Sequence, residues 1–535
     1  MSDTKLERLL KRPLSRRTFL RYSVASGLGV YVAGSGMTAW AQGTQGGTIT
    51  WMGHQEVAGL GPNDIGPDVH ASMIFNILNP LVHVNHLAET EMILARSVDV
   101  APDGLTYTFA LHEGVMFHDG SELTAEDVKY TFETYSQPGN VVASRFAGMR
   151  EVEVVDRYTA RVHMDAVNAA FLRNACEVPI VPAAYHEEVG VDGFRTAPIG
   201  TGAFRLDVWR PAEVTELVAF PDHFRGAPFV DRLRLEVVPE GSVRYIALLT
   251  GDADASVWPL STEDSLDLEA NPDFRLVRTN ANSPRFIPLN TQAPALSDRR
   301  VRQAMMFALD RQRIVDELES GLGTVATSHL APHNPFYNPN VMQYPFDPER
   351  ARSVLDEAGF IEGADGVRVR DGLRLQFTCT TISGDQARRP MAELSQIFLR
   401  AVGIDMQLAE APVASILEGL REGNLEASLF NWTMGSVADP SPEATLLSTG
   451  GNNFFSYNNP EMDALILEGL SIADPELRRP IYDRTQEIYA EDVPALTLHY
   501  ALWLLPFANR MGGLPEEISS GTPLFFRGNE YSQDG

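Results

Sequence analysis

Between Asp103 and Tyr135 the hydrophobic period of the chain changes from that of a strand to that of a helix, and this restricts the chain to a mixed α/β architecture. Leu105-Thr106-Tyr107-Thr108-Phe109-Ala110-Leu111 alternates as a half-buried strand does, and Asp103-Gly104 supplies the turn before it. A second turn at His118-Asp119-Gly120 leads to Thr124-Ala125-Glu126-Asp127, whose hydroxyl and carboxylate suit the free amides of a helix start. Val128, Phe132 and Tyr135 then recur on one helical face. The same interleaving runs on. Thr48–Met52, 151–155, 159–164 and Leu233–Val237 read as strands, Ala71–Val82 as a helix entering a short strand, and Ser242–Leu249 as a helix before a Gly251-Asp252 turn. Asp347-Pro348, Asn459-Pro460 and Asp474-Pro475 each place a capping side chain before a proline at the first helical position. Gly359 is expected to stop the first of these helices in the left-handed conformation, and Pro480 to kink the third. Strands alternating with helices predict α/β lobes, and the length exceeds what one hydrophobic core organises, so two or more lobes are expected.

The N-terminus carries Ser15-Arg16-Arg17-Thr18-Phe19-Leu20-Arg21, then a weakly apolar run with Gly27, Gly29, Gly34 and Gly36, then Ala39-Trp40-Ala41. The run is too polar for a bilayer span of roughly 20 apolar residues. Residues 1–41 resemble a twin-arginine export signal, cut after Ala41, with the twin-arginine translocase as partner during export. With no cysteine at the cut, a soluble periplasmic protein is expected rather than a lipid-anchored one. The full chain has 43 Lys and Arg against 71 Asp and Glu, a formal charge of −28; beyond residue 41 the balance is 36 against 69. Such a field argues against nucleic acid and anionic membrane surfaces as partners. The two cysteines, Cys176 and Cys379, are expected as isolated buried thiols, although an oxidising compartment would allow pairing.

Leu105–Glu133 (LTYTFALHEGVMFHDGSELTAEDVKYTFE) resembles the signature of the family 5 extracellular solute-binding proteins, the peptide, nickel and opine receptors of ABC transporters. Three further blocks agree in order: Pro198-Ile199-Gly200-Thr201-Gly202-Ala203-Phe204-Arg205, the stretch from Leu289-Asn290 through Val301-Arg302-Gln303-Ala304 to Asp310, and Tyr457-Asn458-Asn459-Pro460-Glu461-Met462-Asp463. The resemblance implies a two-lobed periplasmic-binding-protein fold of the Venus flytrap type, with an extra subdomain in the first lobe. Its expected parts are lobe I at 42–82 and 196–288, the subdomain at 83–195, lobe II at 289–497, and a return to lobe I at 498–535. The chain should cross near Pro284–Asn290 and return near Leu498–Leu505. The implied function is capture of a small organic solute, peptide-like or opine-like, for delivery to ABC permease subunits, by a monomer with no cofactor.

Ligand contacts follow from the same resemblance. In peptide-binding members an aspartate three residues after a tryptophan pairs with the ligand's α-amino group; here Trp432 matches but Gly435 stands at the aspartate position. A buried ammonium without a carboxylate is costly, so free-amine peptides are disfavoured. Trp432 is a candidate stacking surface, Asp439 a candidate contact or turn cap, Phe75 and Asn76 candidates for the lobe I wall, and Arg285 a candidate for a ligand carboxylate or a surface ion pair. The pairs His83/His86, His112/His118 and His329/His333 lack the cysteine or carboxylate company of a metal site and read as surface or turn histidines. Gly200-Thr201-Gly202 reads as a turn, and no nucleophile elbow, phosphate loop or zinc-protease motif is present. No enzyme activity is expected. The alternatives are a nickel or metal-chelate receptor, a cofactor-bearing periplasmic enzyme, and a binding protein that senses without transport.

Overall fold

The structure, a computed structural model, describes residues 30–32, 46–57, 59–65, 68–87, 89–281, 284–383, 388–429, 439–440, 442–472, 474–515, 518, 525, 528 and 531–533. Along the chain, the first lobe contributes strands β1 (Thr48–Gly53), β2 (Ala95–Val100), β3 (Thr106–Leu111), β4 (Met149–Asp156), β5 (Thr159–Met164), β6 (Phe204–Arg210), β7 (Val214–Ala219), β8 (Arg232–Val237), β9 (Ala255–Ser256) and β10 (Phe274–Asn280). The second contributes β11 (Arg285–Pro288), β12 (Thr324–Val325), β13 (Gln376–Ile382), β14 (Asp405–Ala411), β15 (Ala427–Ser428) and β16 (Ala495–Tyr500), and β17 (Leu502–Ala508) returns to the first. The main sheet of lobe I has the order β10-β17-β9-β1-β8-β7-β6, and β1 runs parallel to both β8 and β9. In lobe II the β14-β13-β15 sheet is parallel throughout, and β11-β16-β12 is antiparallel. The subdomain is the antiparallel sheet β2-β3-β5-β4, with Val30–Val32 along the outer edge of β2.

Two antiparallel strand pairs form the joint. β10 pairs with β17 in lobe I, β11 pairs with β16 in lobe II, and the chain passes between lobes at 281–284 and again at Ala501. Ala281 N donates to Ala501 O at 3.0 Å, tying the two crossings together. Arg285–Pro288 therefore pairs with Ala495–His499 within lobe II, beside the crossings. The buried clusters divide at the same place. Ile49, Trp51, Phe109, Leu235, Val277 and Phe507 share one core, while Ile287, Leu289, Met305, Phe377, Met406 and Leu498 share another. The subdomain has no separate core: Phe109, Phe132 and Val162 belong to the lobe I cluster.

Local signals explain the helix boundaries. Helix α1 covers Asp68–Ile77 and α2 covers Ala125–Tyr135; at the start of α2 the Thr124 amide donates to Asp127 Oδ2 at 2.9 Å. Helix α3 (Gly241–Thr250) ends on Gly251 at φ 81°, and Gly359 adopts φ 84° after the helix that Asp347 caps. Helices α4 (Pro460–Leu470) and α5 (Pro475–Asp492) start on caps from Asn459 and Asp474. Pro480, expected to kink the third of these helices, lies inside α5, which continues through it to Asp492. Pro480 is exposed on the second turn, so water can satisfy the Glu476 carbonyl that loses its intrahelical donor.

Several histidines read as surface groups are interior. His329 is 1% exposed, lies 4.9 Å from the Tyr489 ring, and has no hydrogen-bond partner at either ring nitrogen among the described residues. Burial lowers its pKa to about 3. Burial likewise brings His118, His186 and His223 down to about 4. His118 is still the turn residue expected, with Nε2–H donating to Gly202 O and Nδ1 accepting from Gly200 N. Unfolding lets such groups take up protons near their ordinary value of about 6.5, so each contributes stability that is complete above that pH and is lost as pH falls toward 3 to 4. We expect urea unfolding to give falling stability from pH 6.5 to 4.5, with each such histidine adding a slope of up to about 1.4 kcal/mol per pH unit. His329→Phe should flatten that slope; an unchanged slope would refute the assignment.

Candidate functional site

In open α/β sheets, ligands lie beyond the carboxyl ends of parallel strands, where side chains and free backbone groups converge without having to satisfy a ladder. Here β1 ends at Gly53 and is followed by His54; β9 ends at Ser256, two residues before Trp258. Trp503 stands on β17 just past the crossing, opposite Thr279. These three side chains form one half-exposed aromatic wall: the ring centroids of His54 and Trp258 are 4.4 Å apart, and those of Trp258 and Trp503 are 5.3 Å apart. His54 Nδ1 is buried without a hydrogen-bond partner among the described residues.

Lobe II brings its own strand ends to the same place. β13 ends at Ile382, shortly before Arg388, and β15 ends at Ser428, directly before the segment that carries Trp432. Burial, then the charge of Arg244, then that of Arg388 lower the His54 pKa to about 4. Arg388 of lobe II is thus near enough for its charge to bear on a lobe I side chain. The imidazole is neutral at physiological pH. Arg244, on α3, is 3% exposed and donates from Nη1 to the carbonyls of Val238 and Pro239, both at 2.7 Å, while its Nε has no partner among the described residues. The site is an aromatic wall under positive potential. It suits a solute with a flat or apolar part and an anionic group, and it discourages a metal ion at His54.

The residues picked from the sequence are scattered. Trp432 and Gly435 lie outside the described residues. Asp439 is 2% exposed, and both its oxygens accept from Arg478, at 2.7 and 3.1 Å. Phe75 is 7% exposed and packs 4.4 Å from the His83 ring. Asn76 donates to Ser72 O and Phe525 O and accepts from Gly528 N, so its amide holds the C-terminal segment. Arg285 sits half-buried on β11 opposite His499, beside the crossing. Sequence reasoning missed His54, Trp258, Trp503, Arg244 and Arg388. The position of His54 directly after the Thr48–Met52 strand was the usable signal. Lobe II also has a polar recess of about 350 Å³, lined by Gln292, Arg421, Ser448, Asn453 and Tyr457 among others. It includes Gly423, which precedes β15, and so lies toward the amino end of that strand, away from the cleft.

Two α/β lobes, joined by a pair of crossing strands and carrying facing sets of strand ends, define a hinged binding protein. A family model for bacterial extracellular solute-binding proteins, family 5 (Middle), matches residues 89–455, and the chain belongs to that family. Protein XP55 of Streptomyces lividans is 30% identical over 433 residues, covering 79% of this chain and 78% of that protein. Heme-binding protein A of Haemophilus influenzae is 27% identical over 456 residues, covering 79% and 81%. Among solved structures, NikZ from Campylobacter jejuni in complex with Ni(L-His) superposes with a TM-score of 0.82 at 24% identity, covering 91% of this chain and 99% of that one. The oligopeptide-binding protein AppA from Bacillus subtilis, in complex with a nonapeptide, gives 0.80 at 23% identity, covering 92% and 100%. The protein is an extracytoplasmic substrate-binding component of a transport system, and the two-lobed fold expected from the sequence is present.

Proposed function

We propose that this protein is a periplasmic receptor that binds a peptide-like or opine-like solute and delivers it, chemically unchanged, to the permease of an ABC importer. The twin-arginine-like segment at residues 15–21 supports export in a folded state. The observation that carries the reading is the aromatic wall of His54, Trp258 and Trp503 under the charges of Arg244 and Arg388. A solute carboxylate gains from that potential, and its apolar part gains from the rings. Gly435, where peptide receptors carry an aspartate, favours solutes whose nitrogen is acylated, or whose ammonium is flanked by the solute's own carboxylates as in an opine. Closure then follows from the solute's differential affinity for the closed arrangement, in which both walls touch it.

The test is calorimetric titration of the dialysed protein with Ala-Phe, N-acetyl-Ala-Phe and N-(1-carboxyethyl)phenylalanine, with the radius of gyration followed by X-ray scattering. The acetylated and carboxyethylated compounds should bind more tightly than the free amine and compact the protein. Trp258→Ala and Trp503→Ala should each weaken binding by about tenfold, or ~1.4 kcal/mol. Chemical turnover of any of the three, or a binder indifferent to both tryptophans, would overturn the reading.

A further inference from the structure

We infer that the extra subdomain clasps lobe II through the carboxyl end of α4, and that Arg478 is the positioning residue that holds this end in place for the clasp. The lobes meet at a point outside the crossing strands. Ala169 N, in the subdomain, donates to Leu470 O, the last residue of α4, at 3.0 Å. A helix leaves its final carbonyls without intrahelical donors, so this bond fills a vacancy that α4 cannot fill for itself. On the donor side Asn168 builds the loop: its side-chain amide donates to Ala147 O at 2.9 Å and its Oδ1 accepts from Ala170 N at 3.1 Å. Its carbonyl accepts from Tyr107 and from the Phe171 amide. The Ala169 N–H is left directed at lobe II.

The acceptor side is fixed from within lobe II. Arg478 Nε donates to Gly469 O at 2.9 Å, one residue before the clasping carbonyl. Its two other nitrogens hold Asp439 and the Tyr482 hydroxyl, and its guanidinium lies 5.2 Å over the Phe336 ring and 5.0 Å over the Tyr482 ring. Glycine is required at 469 because a Cβ there would come within 2.8 Å of the Tyr482 ring. One buried guanidinium therefore joins Asp439, Tyr482 and the carbonyl end that the other lobe grips.

This inference rests on the receptor reading, and amide hydrogen exchange tests it separately. In the purified protein with no solute added, the Ala169 amide should exchange slowly. Arg478→Lys, which keeps the charge but loses the fork, should speed Ala169 exchange about five-fold relative to the Leu498 amide in the lobe II core. Tyr482→Phe, which removes one acceptor and little volume, should act in the same direction by about two-fold and covers the case in which Arg478→Lys does not fold. Equal Ala169 exchange in wild type and both variants, or wild-type exchange as fast as in an unstructured loop, overturns the clasp. If calorimetry still finds a binder, the receptor reading survives that result.

Discussion

Asp439→Ala is expected to destabilise the protein by about 3–5 kcal/mol, the largest single loss among the substitutions considered, because it strands a charge that cannot be neutralised. The side chains of Arg478 and Asp439 are 4% and 3% exposed, so water cannot replace the carboxylate. Glu443 is the carboxyl best placed to compensate. Burial raises its pKa, and one of its oxygens has no hydrogen-bond partner. Adding Glu443→Gln to Asp439→Ala should therefore deepen the loss. Replacing both ion-pair partners, Asp439→Leu with Arg478→Met, should recover most of it, since a well-packed apolar pair bears no desolvation cost. Urea midpoints at pH 7 measure all three. A loss below about 1 kcal/mol for Asp439→Ala would show that the pair is solvated in solution.

Gly202→Ala should cost about 3 kcal/mol by overpacking. An added Cβ would lie 2.3 Å from Asn76 O and 2.5 Å from the Ile77 carbonyl carbon, both backbone atoms at the end of α1 that no rotamer change can move. The contact is close because Gly202 N donates to Ile77 O at 2.9 Å, docking the turn onto the helix end. Gly451→Ala, where a Cβ meets nothing within 4 Å, is the control and should be near neutral. Equal melting temperatures for the two variants would mean that the turn gives way at little cost.

The parts of this fold that sequence reveals are those written within a dozen residues. The β3 alternation, the Thr124 and Asp127 capping box and the three Asx-Pro starts depend only on neighbours, and each stands where its pattern placed it. The family signature spans the same local elements. The cleft is different, because His54, Trp258 and Trp503 meet only after three strands separated by some two hundred residues take adjacent places in one sheet. No spacing encodes that encounter. Asp439 shows the same limit: a turn reading was open to it, but a partner 39 positions away was not visible locally. Pro480 is a complementary case: its ring removes one backbone bond, and its exposed place on the second turn lets the helix continue through it.

The two thiols also have a consequence. Cys176 lies wholly within the lobe I core and Cys379 within that of lobe II, both unpaired. Because no covalent bridge contributes to either core, neither core needs an oxidising environment for its stability. Each half moreover carries a single concealed thiol. A thiol reagent would therefore time the opening of each half as a separate event.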